Sequence, residues 1–410
     1  MDIPQGYKQT ELGIIPEDWE IVNLGSVAKI NGRIGFRGYT TADLVGVGQG
    51  AYTIGGKHIT NMVLDLHDAE YISWQKYYES PEIMVRKGDI VFAQRGTLGK
   101  SAFIVNDIGP ATINPSLVLI NKIKCDNEYL SYWLQCDKIV EYICSINSQT
   151  SIPMITQNQI EHIPVVLSRI KAEQQAIAEA LGDIDGLIAT LDKKIAKKRL
   201  IKQGAMSQLL TGKKRLPGFS DPWVEKKLGE IGYTYSGLTG KSKDDFGQGN
   251  AKYITFLNVL ANPILKENLF GSITIRENEQ QNKVQFGDLF FNTSSETPED
   301  VGTCAVLLSY HEELYLNSFC FGYRLTDDNV LGLYLAYYFR SRLGRQLMTS
   351  LAQGATRYNL SKELFNASRI ILPETKHEQI AIATMLNDMD KEKDDLEAQR
   401  DKYRLLKSGM

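Results

Sequence analysis

The sequence predicts an α+β protein built twice over: two similar α/β domains, joined by two long helices that form an antiparallel coiled coil, with a pseudo-two-fold internal repeat. Three observations predict it. Residues 171–185, KAEQQAIAEALGDID, return at 376–390 as KHEQIAIATMLNDMD, identical at nine of fifteen positions. Shorter echoes run through the rest of the chain at offsets of 199 to 205 residues. The apolar residues of the first echoed segment are spaced 4-3-4-3-4, the narrow seam of a coiled coil rather than the wider stripe of a helix lying on a core. Two copies are too few for a solenoid, so two globular domains are expected.

The elements follow in the same order in each copy. Trp19, Leu24 and Gly25 recur as Trp223, Leu228 and Gly229. VRKGDIVF (85–92) recurs as VQFGDLFF (284–291), GKSAFI (99–104) as GTCAVL (302–307), and YLSYWL (129–134) as YLAYYF (334–339). Alternating, β-branched runs predict strands at GDIVFAQ, SAFIV and SLVLI in the first copy, and at GDLFFN, CAVLL and FCFGYRL in the second. A helix follows in each. Over 126–146 Asp126 is placed to cap, and Tyr129, Trp133, Val140 and Ile143 share a face. Its counterpart starts near Asn329 and carries Leu331, Leu335 and Tyr338. A polar loop comes next, SQTSIPMITQ or QGATRYNLSK, and then the echoed helix. The expected divisions are residues 1–165 and 212–373 for the globular halves, and 166–211 and 374–410 for the helices. The Gly-, Pro- and Lys-rich stretch LLTGKKRLPGFSDPW reads as a junction.

The seam predicted for the first helix is Ile177, Leu181, Ile184, Ile188, Leu191 and Ile195. The second offers Ile382, Leu386, Met389, Leu396 and Tyr403, with Lys393 and Arg400 interrupting it. The alternative, a helix packed on its own domain, is opposed by the length of about 35 residues, or ~50 Å. Each helix is acid-rich early (Glu173, Glu179, Asp183, Asp185; Glu378, Asp388, Asp390, Asp394) and basic late (Lys197, Lys198, Arg199, Lys202; Arg400, Lys402, Arg404, Lys407). An antiparallel pair sets acidic ends against basic ones. Each exposed pair is worth only about 0–1 kcal/mol, so charge selects direction while the apolar seam supplies stability. Two similar domains at the ends of such a spacer suit two sites a fixed distance apart, as on a duplex that repeats every ~34 Å.

Composition narrows the class. The 410 residues carry a net charge of −3, a pI near 6.1 and 43% hydrophobic residues, which suits a soluble protein and opposes indiscriminate coating of nucleic acid. MDIPQGYKQTE does not read as a signal peptide and no apolar run approaches the ~20 residues of a membrane span, so a cytoplasmic protein with no membrane partner is expected. Five cysteines form no CxxC and five histidines no HxxxH, so no metal site is expected.

Catalytic motifs are missing where an enzyme would need them. GTLGKS (96–101) fails the phosphate-loop pattern because Gln94 stands where glycine is required, and TGKS (239–242) fails at Tyr235. GVGQGA (46–51) lacks the last glycine of a dinucleotide fingerprint. Asn114-Pro115-Ser116-Leu117 does not fit the Asn-Pro-Pro-aromatic motif of adenine methyltransferases. No GxSxG appears. A chain that binds and positions is expected, with no catalytic residue.

The opening GYKQTELGIIPEDWE with its echo LPGFSDPW, the pair QQAIAEALGDID and EQIAIATMLNDMD, and AMSQLLTGKKRL after the first helix together resemble the specificity subunit of a type I restriction–modification system, over essentially the full chain. The resemblance implies two target recognition domains, each reading half of a split double-stranded DNA site. It also implies helices that set the gap and dock two methyltransferase subunits, and motor–nuclease subunits that complete the complex. S-adenosylmethionine, ATP and Mg would then be used by the partners, with no cofactor in this chain. The repeat sets Met410 level with Ala205, so the second copy lacks a counterpart to MSQLLTGKKR, which bears on how evenly the partners dock. The competing readings are a lone DNA-modifying enzyme with an unrecognised site and a coiled-coil scaffold.

Readout of bases and phosphates needs Arg, Lys, Asn, Gln, Ser or Thr side chains on accessible loops. The first copy offers Arg33, Arg37 and Tyr39 in INGRIGFRGYTT, Lys57 and His58 in GGKHIT, and Arg95, Thr97 and Lys100 in AQRGTLGK. The second offers Lys241, Ser242 and Lys243, then Asn258, then Asn292, Thr293, Ser294 and Ser295, and finally Arg357 and Tyr358. The basic stretch 193–215, nine Lys/Arg and no Asp/Glu, is a candidate for phosphate contact, a solvated face or a partner contact.

Overall fold

The short apolar run in GDIVFAQ gives the strand Ile90–Ala93, an inner member of a four-stranded antiparallel sheet ordered Ser101–Phe103, Ile90–Ala93, Leu117–Asn121, Lys29–Gly32. Successive side chains leave a strand on opposite faces. Ile90, Phe92, Val118 and Ile120 therefore enter one core with Leu130, Leu134 and Ile139, while Val91, Ala93, Leu117 and Leu119 enter another with Ile54 and Ile113. Both faces are covered, so every position of the strand is apolar and buried. The second cover is another sheet, ordered Ala111–Ile113, Gly50–Ile54, Glu70–Ser73, Leu44–Val45, whose first pair is parallel. Glu20–Asn23 pairs antiparallel with Pro164–Leu167, closing the domain just before its long helix.

The second copy repeats this plan. Its main sheet runs Cys304–Val306, Leu289–Asn292, Cys320–Leu325, Gly232–Ser236. Its second sheet again has one parallel pair, Leu314–Leu316 with Phe246–Ile254, and then Phe270–Ile273. Trp223–Lys227 pairs with Arg369–Pro373. These elements fall in two compact units, residues 1–189 with 402–410, and residues 190–401. The structure, a computed structural model, describes residues 3–60, 62–147, 153–354 and 356–410; residues 148–152 of the first expected polar loop and Ala355 of the second lie outside the described residues.

The single helix expected over 126–146 is two helices, Asn127–Trp133 and Asp137–Ile146. The apolar spacing explains the break. Leu130 and Leu134 are four apart, as are Ile139 and Ile143, but the step from Leu134 to Ile139 is five, and all four are fully buried. One continuous helix would turn the second pair away from the core. The counterpart is likewise split, into Gly332–Arg340 and Arg342–Leu351. There Gly344 lies so close to the preceding helix that a Cβ would stand 2.2 Å from the Tyr338 carbonyl oxygen.

The echoed segments open helices Lys171–Leu209 and Lys376–Gly409. Their opening stretches cover the domains. Ile177 and Ala178 pack on the first unit's core; Ile382, Ala383, Leu386 and Met389 pack on or within the second's, in a cluster shared with Ala205, Met206 and Leu209 of the first helix. For Ile177 the expectation of a helix-to-helix seam is thus corrected: a helix leaving a domain must first cover that domain's apolar face. Further along, Ile184, Leu191 and Ile195 are buried, and Leu181, Ile188, Leu396 and Tyr403 are half-buried. The helices run antiparallel. In the second unit the ion pairs run from Asp192–Arg400 (3.3 Å) to Lys202–Asp390 (2.6 Å), a rise on one helix matched by a fall on the other, with Lys198–Glu392 (2.5 Å) and Arg199–Glu397 (2.5 Å) between them. In the first unit Asp185–Lys407 (2.7 Å) joins the same two helices.

Candidate nucleic-acid interface

The loop that leaves the central strand is held in the same way in both copies. In the first, Ile155 N donates to the Gln94 carbonyl (3.0 Å) and Gly96 N to the Pro153 carbonyl (3.0 Å), and Arg95 bridges to Met154. In the second, Leu360 N donates to the Thr293 carbonyl (2.9 Å), and Ser294 and Ser295 pair with Asn359 and Tyr358. The chain approaching each long helix therefore fastens a loop whose side chains remain partly free.

Around this loop the first unit forms a recess of about 340 Å³ lined by, among others, Tyr39, Lys57, His58, Arg95 and Thr97. Three candidate stretches, far apart in sequence, thus converge. Arg95 and Thr97 are exposed, and Arg95 Nη2 rests 3.2 Å from Met154 Sδ. Lys57 is exposed and pairs with Asp68 at 3.2 Å. Tyr39 shares a hydrogen bond with Thr53 Oγ1 (3.0 Å). His58 is buried; its Nδ1 accepts from Gly55 N (2.9 Å), which places the proton of a neutral ring on Nε2. Burial and then nearby Lys57 lower its pKa and favour that neutral ring. Nε2 lies 3.4 Å from Asp68 Oδ1 yet is buried without a hydrogen bond. Proximity here is not a bond, and the ring sits under the recess surface rather than on it.

Other candidates have structural duties. Arg33 is buried and donates to the Ile113 carbonyl (3.1 Å), Thr112 Oγ1 (3.0 Å) and the Arg37 carbonyl (3.3 Å). It ties strands together, and burial lowers its pKa. Arg37 lies 3.5 Å from Glu82. Lys100 is exposed but outside the recess lining.

In the second unit Lys241 has a side chain only 4% exposed and donates to the Thr274 carbonyl and Glu279. Asn258 is fully buried, its amide closing on the backbone of Lys266. Asn292 is fully buried and accepts from Thr303 N (2.5 Å). For Arg33, Lys241, Asn258 and Asn292 the expectation of a contact to DNA is therefore corrected: a buried polar group must be bonded, and these are bonded inward. Ser242 caps the turn Lys243–Asp245 through Asp245, and Lys243 is exposed. Thr293, Ser294, Ser295 and Tyr358 are half-buried beside exposed Arg357, and strand pairing gathers them into one edge. Arg215, at the end of the basic stretch, is committed to Glu378 through two bonds (2.5 and 2.6 Å).

Sequence reasoning missed Thr53, Glu70, Asn114 and Ser116, which also line the recess. Asn114-Pro115-Ser116 is an Asx turn, Asn114 Oδ1 accepting from Ser116 N (2.9 Å); read as a failed catalytic motif, it gave no sign of that role. Its counterpart is Asn317 Oδ1 accepting from Phe319 N (2.8 Å). Also unforeseen is a repeated cluster that fixes each domain to the helices. Tyr132 Oη donates to Asp185 (2.9 Å), which pairs with Lys407; Tyr337 Oη donates to Asp390 (3.0 Å), which pairs with Lys202. Each residue of one cluster is 205 positions from its equivalent in the other.

Comparison with known proteins places these features. Residues 16–198 and 220–403 each match the family described as type I restriction modification DNA specificity domain. The putative type I restriction enzyme MjaX specificity subunit of Methanocaldococcus jannaschii is 27% identical over 300 residues, 64% of this chain and 66% of the relative. The MjaVIII specificity subunit of the same organism is 29% identical over 225 residues, 52% of this chain and 50% of the relative. The matches thus span between half and about two thirds of those relatives' lengths. The crystal structure of a type I restriction–modification S subunit from M. genitalium superposes with a TM-score of 0.59 at 14% identity, covering 100% of this chain and 96% of the other. A chain solved in work on complex assembly and conformational transition of the type I system gives 0.58 at 17% identity, covering 96% of each. At these identities the structural likeness establishes a shared fold. Among the described residues no helix is long and apolar enough to cross a membrane, and no group of three His, Cys, Asp or Glu could hold a metal ion.

Proposed function

Because the chain belongs to the family of type I restriction–modification DNA specificity domains, we propose that it is the sequence-specific DNA-binding subunit of such a complex, each copy reading one half of a bipartite duplex site. One observation carries the reading: a single hydrogen-bonded frame occurs twice and presents two different loop sets, Lys57, Arg95 and Thr97 in one copy, Ser294, Ser295, Arg357 and Tyr358 in the other. A protein reading two unlike half-sites needs that division, constant support with variable side chains. The paired helices set the gap between half-sites and offer docking surface to two methyltransferase subunits, with motor–nuclease subunits joining for restriction. Methylation and cleavage, with S-adenosylmethionine, ATP and Mg, belong to those partners, and the complex works in the cytoplasm. The family is named for DNA specificity rather than for a reaction, consistent with a non-catalytic role here.

The test is methylation mapping in cells expressing this chain with its methyltransferase. One split target is expected. A heptad inserted halfway between Asp185 and Lys202 and another between Asp390 and Lys407 keep the seam in phase and add roughly 10 Å. The gap should lengthen by about three base pairs, at ~3.4 Å each, with both half-sites unchanged. A changed half-site, or an unchanged gap, refutes the division of labour.

A further inference from the structure

The recess of the first copy holds one carboxylate. Glu70 begins the strand Glu70–Ser73, stands opposite Thr53 in register, and lines the cavity with Lys57 and Arg95. It is exposed, and among the described residues it makes no ion pair, while Lys57 is engaged by Asp68. Against a phosphate backbone an unpaired carboxylate is repelled, so phosphate contact gives it no role. Base edges are different: in the major groove adenine N6 and cytosine N4 present amino groups that a carboxylate accepts from, while guanine and thymine present acceptors there.

A neighbour fits the same edge. Exposed Arg95 is a donor, suited to adenine N7 or to the N7 and O6 of a guanine paired with cytosine. The carboxylate is also no part of the repeated frame. The Asx turn of Asn114 has its equivalent in Asn317, whereas the strand equivalent to Glu70–Ser73 begins Phe270-Gly271. The frame would stand without Glu70.

Resting on the reading of this chain as a DNA-specificity subunit, we propose that Glu70 is a specificity-determining residue of the first copy, accepting a hydrogen bond from the exocyclic amino group of one base, adenine N6 or cytosine N4, in that copy's half-site. Arg95 completes the edge as a donor.

The experiment selects duplexes from a library with the full chain bound to its methyltransferase subunits, wild type against Glu70→Ala and Glu70→Gln. Wild type should specify one base pair of one half-site whose selection depends on the amino group of its adenine or cytosine. Glu70→Ala should relax that position by on the order of ten- to a hundredfold, leave the other half-site unchanged, and bind unrelated DNA no more weakly. Which base is selected distinguishes the two amino groups. Replacing that base by purine, for adenine, or pyrimidin-2-one, for cytosine, removes the amino group; wild type should lose at least tenfold and Glu70→Ala almost nothing. Glu70→Gln, which keeps shape and can also donate, should retain a narrower preference than alanine. If Glu70→Ala changes no position, weakens all sequences evenly, or relaxes a base pair at which wild type tolerates loss of the amino group, the assignment to Glu70 is wrong while the DNA-specificity reading stands. If wild type selects no sequence at all, that reading itself fails.

Discussion

The two copies agree where they are buried and differ where they are exposed. Gln174 accepts from Asp126 N and donates to the Ser168 carbonyl; Gln379, 205 residues on, accepts from Leu331 N and donates to the Pro373 carbonyl, each at 2.8–2.9 Å. Both glutamines sit at the root of a long helix, almost wholly buried. At the loop edge the correspondence ends: Arg95 and Thr97 stand where the other copy has serines and a longer turn, and Glu70 has no equivalent. The difference teaches that the repeat preserves an attachment, domain to helix, while the presented side chains are free to diverge.

That division can be broken most directly at the attachment. Gln174→Ala and Gln379→Ala should each leave two or more buried backbone groups unpaired, costing roughly 3 kcal/mol of local stability at 1–3 kcal/mol per group. Hydrogen exchange of the strands Pro164–Leu167 and Arg369–Pro373 would follow each unit separately. Equal losses support a common attachment; a loss in one unit alone would show that the copies are held by different means. Next in size is the tyrosine that each domain extends to an aspartate. Removing the hydroxyl should cost about 1–2 kcal/mol, with Tyr337→Phe the costlier, because Tyr337 is fully buried and Tyr132 only partly. A reversed order would mean that solvent, not burial, sets the strength of these bonds.

The fold was legible where its cause was repetition or period. Nine identities in fifteen positions include Gln174/Gln379 and Asp185/Asp390, and charge order predicted the antiparallel pairing that Asp192–Arg400 and Lys202–Asp390 display. The split of the helix at residues 134–136 was also written in the chain, as the five-residue step from Leu134 to Ile139, but a four-residue face through Trp133 and Val140 hid it. The site was legible only in part. Loop position brought Arg95, Thr97 and Lys57 to the recess, yet Arg33 and Lys241 look the same in sequence and point their charges inward. What separates them is tertiary bonding, which residue type does not encode. Glu70 was invisible because its significance depends on Thr53 and Arg95, brought beside it by folding.

The smallest expected effect tests which force sets the helix pairing. Arg400 pairs with Asp192 at 3.3 Å and with Asp401 at 2.8 Å. Unlike the Asp185–Lys407 and Asp390–Lys202 pairs, the Asp192–Arg400 contact has no equivalent under the repeat, because the positions 205 residues away are Glu397 and Ile195. If buried apolar contacts such as those of Ile195 and Leu191 hold the helices, Arg400→Ala should cost at most about 1 kcal/mol. The loss should shrink further at 1 M salt, where the screening length falls to ~3 Å. A double-mutant cycle with Asp192→Ala measures the pair itself. A coupling well above 1 kcal/mol that survives high salt would mean that a charge particular to one place, and not the duplicated seam, determines how these helices meet.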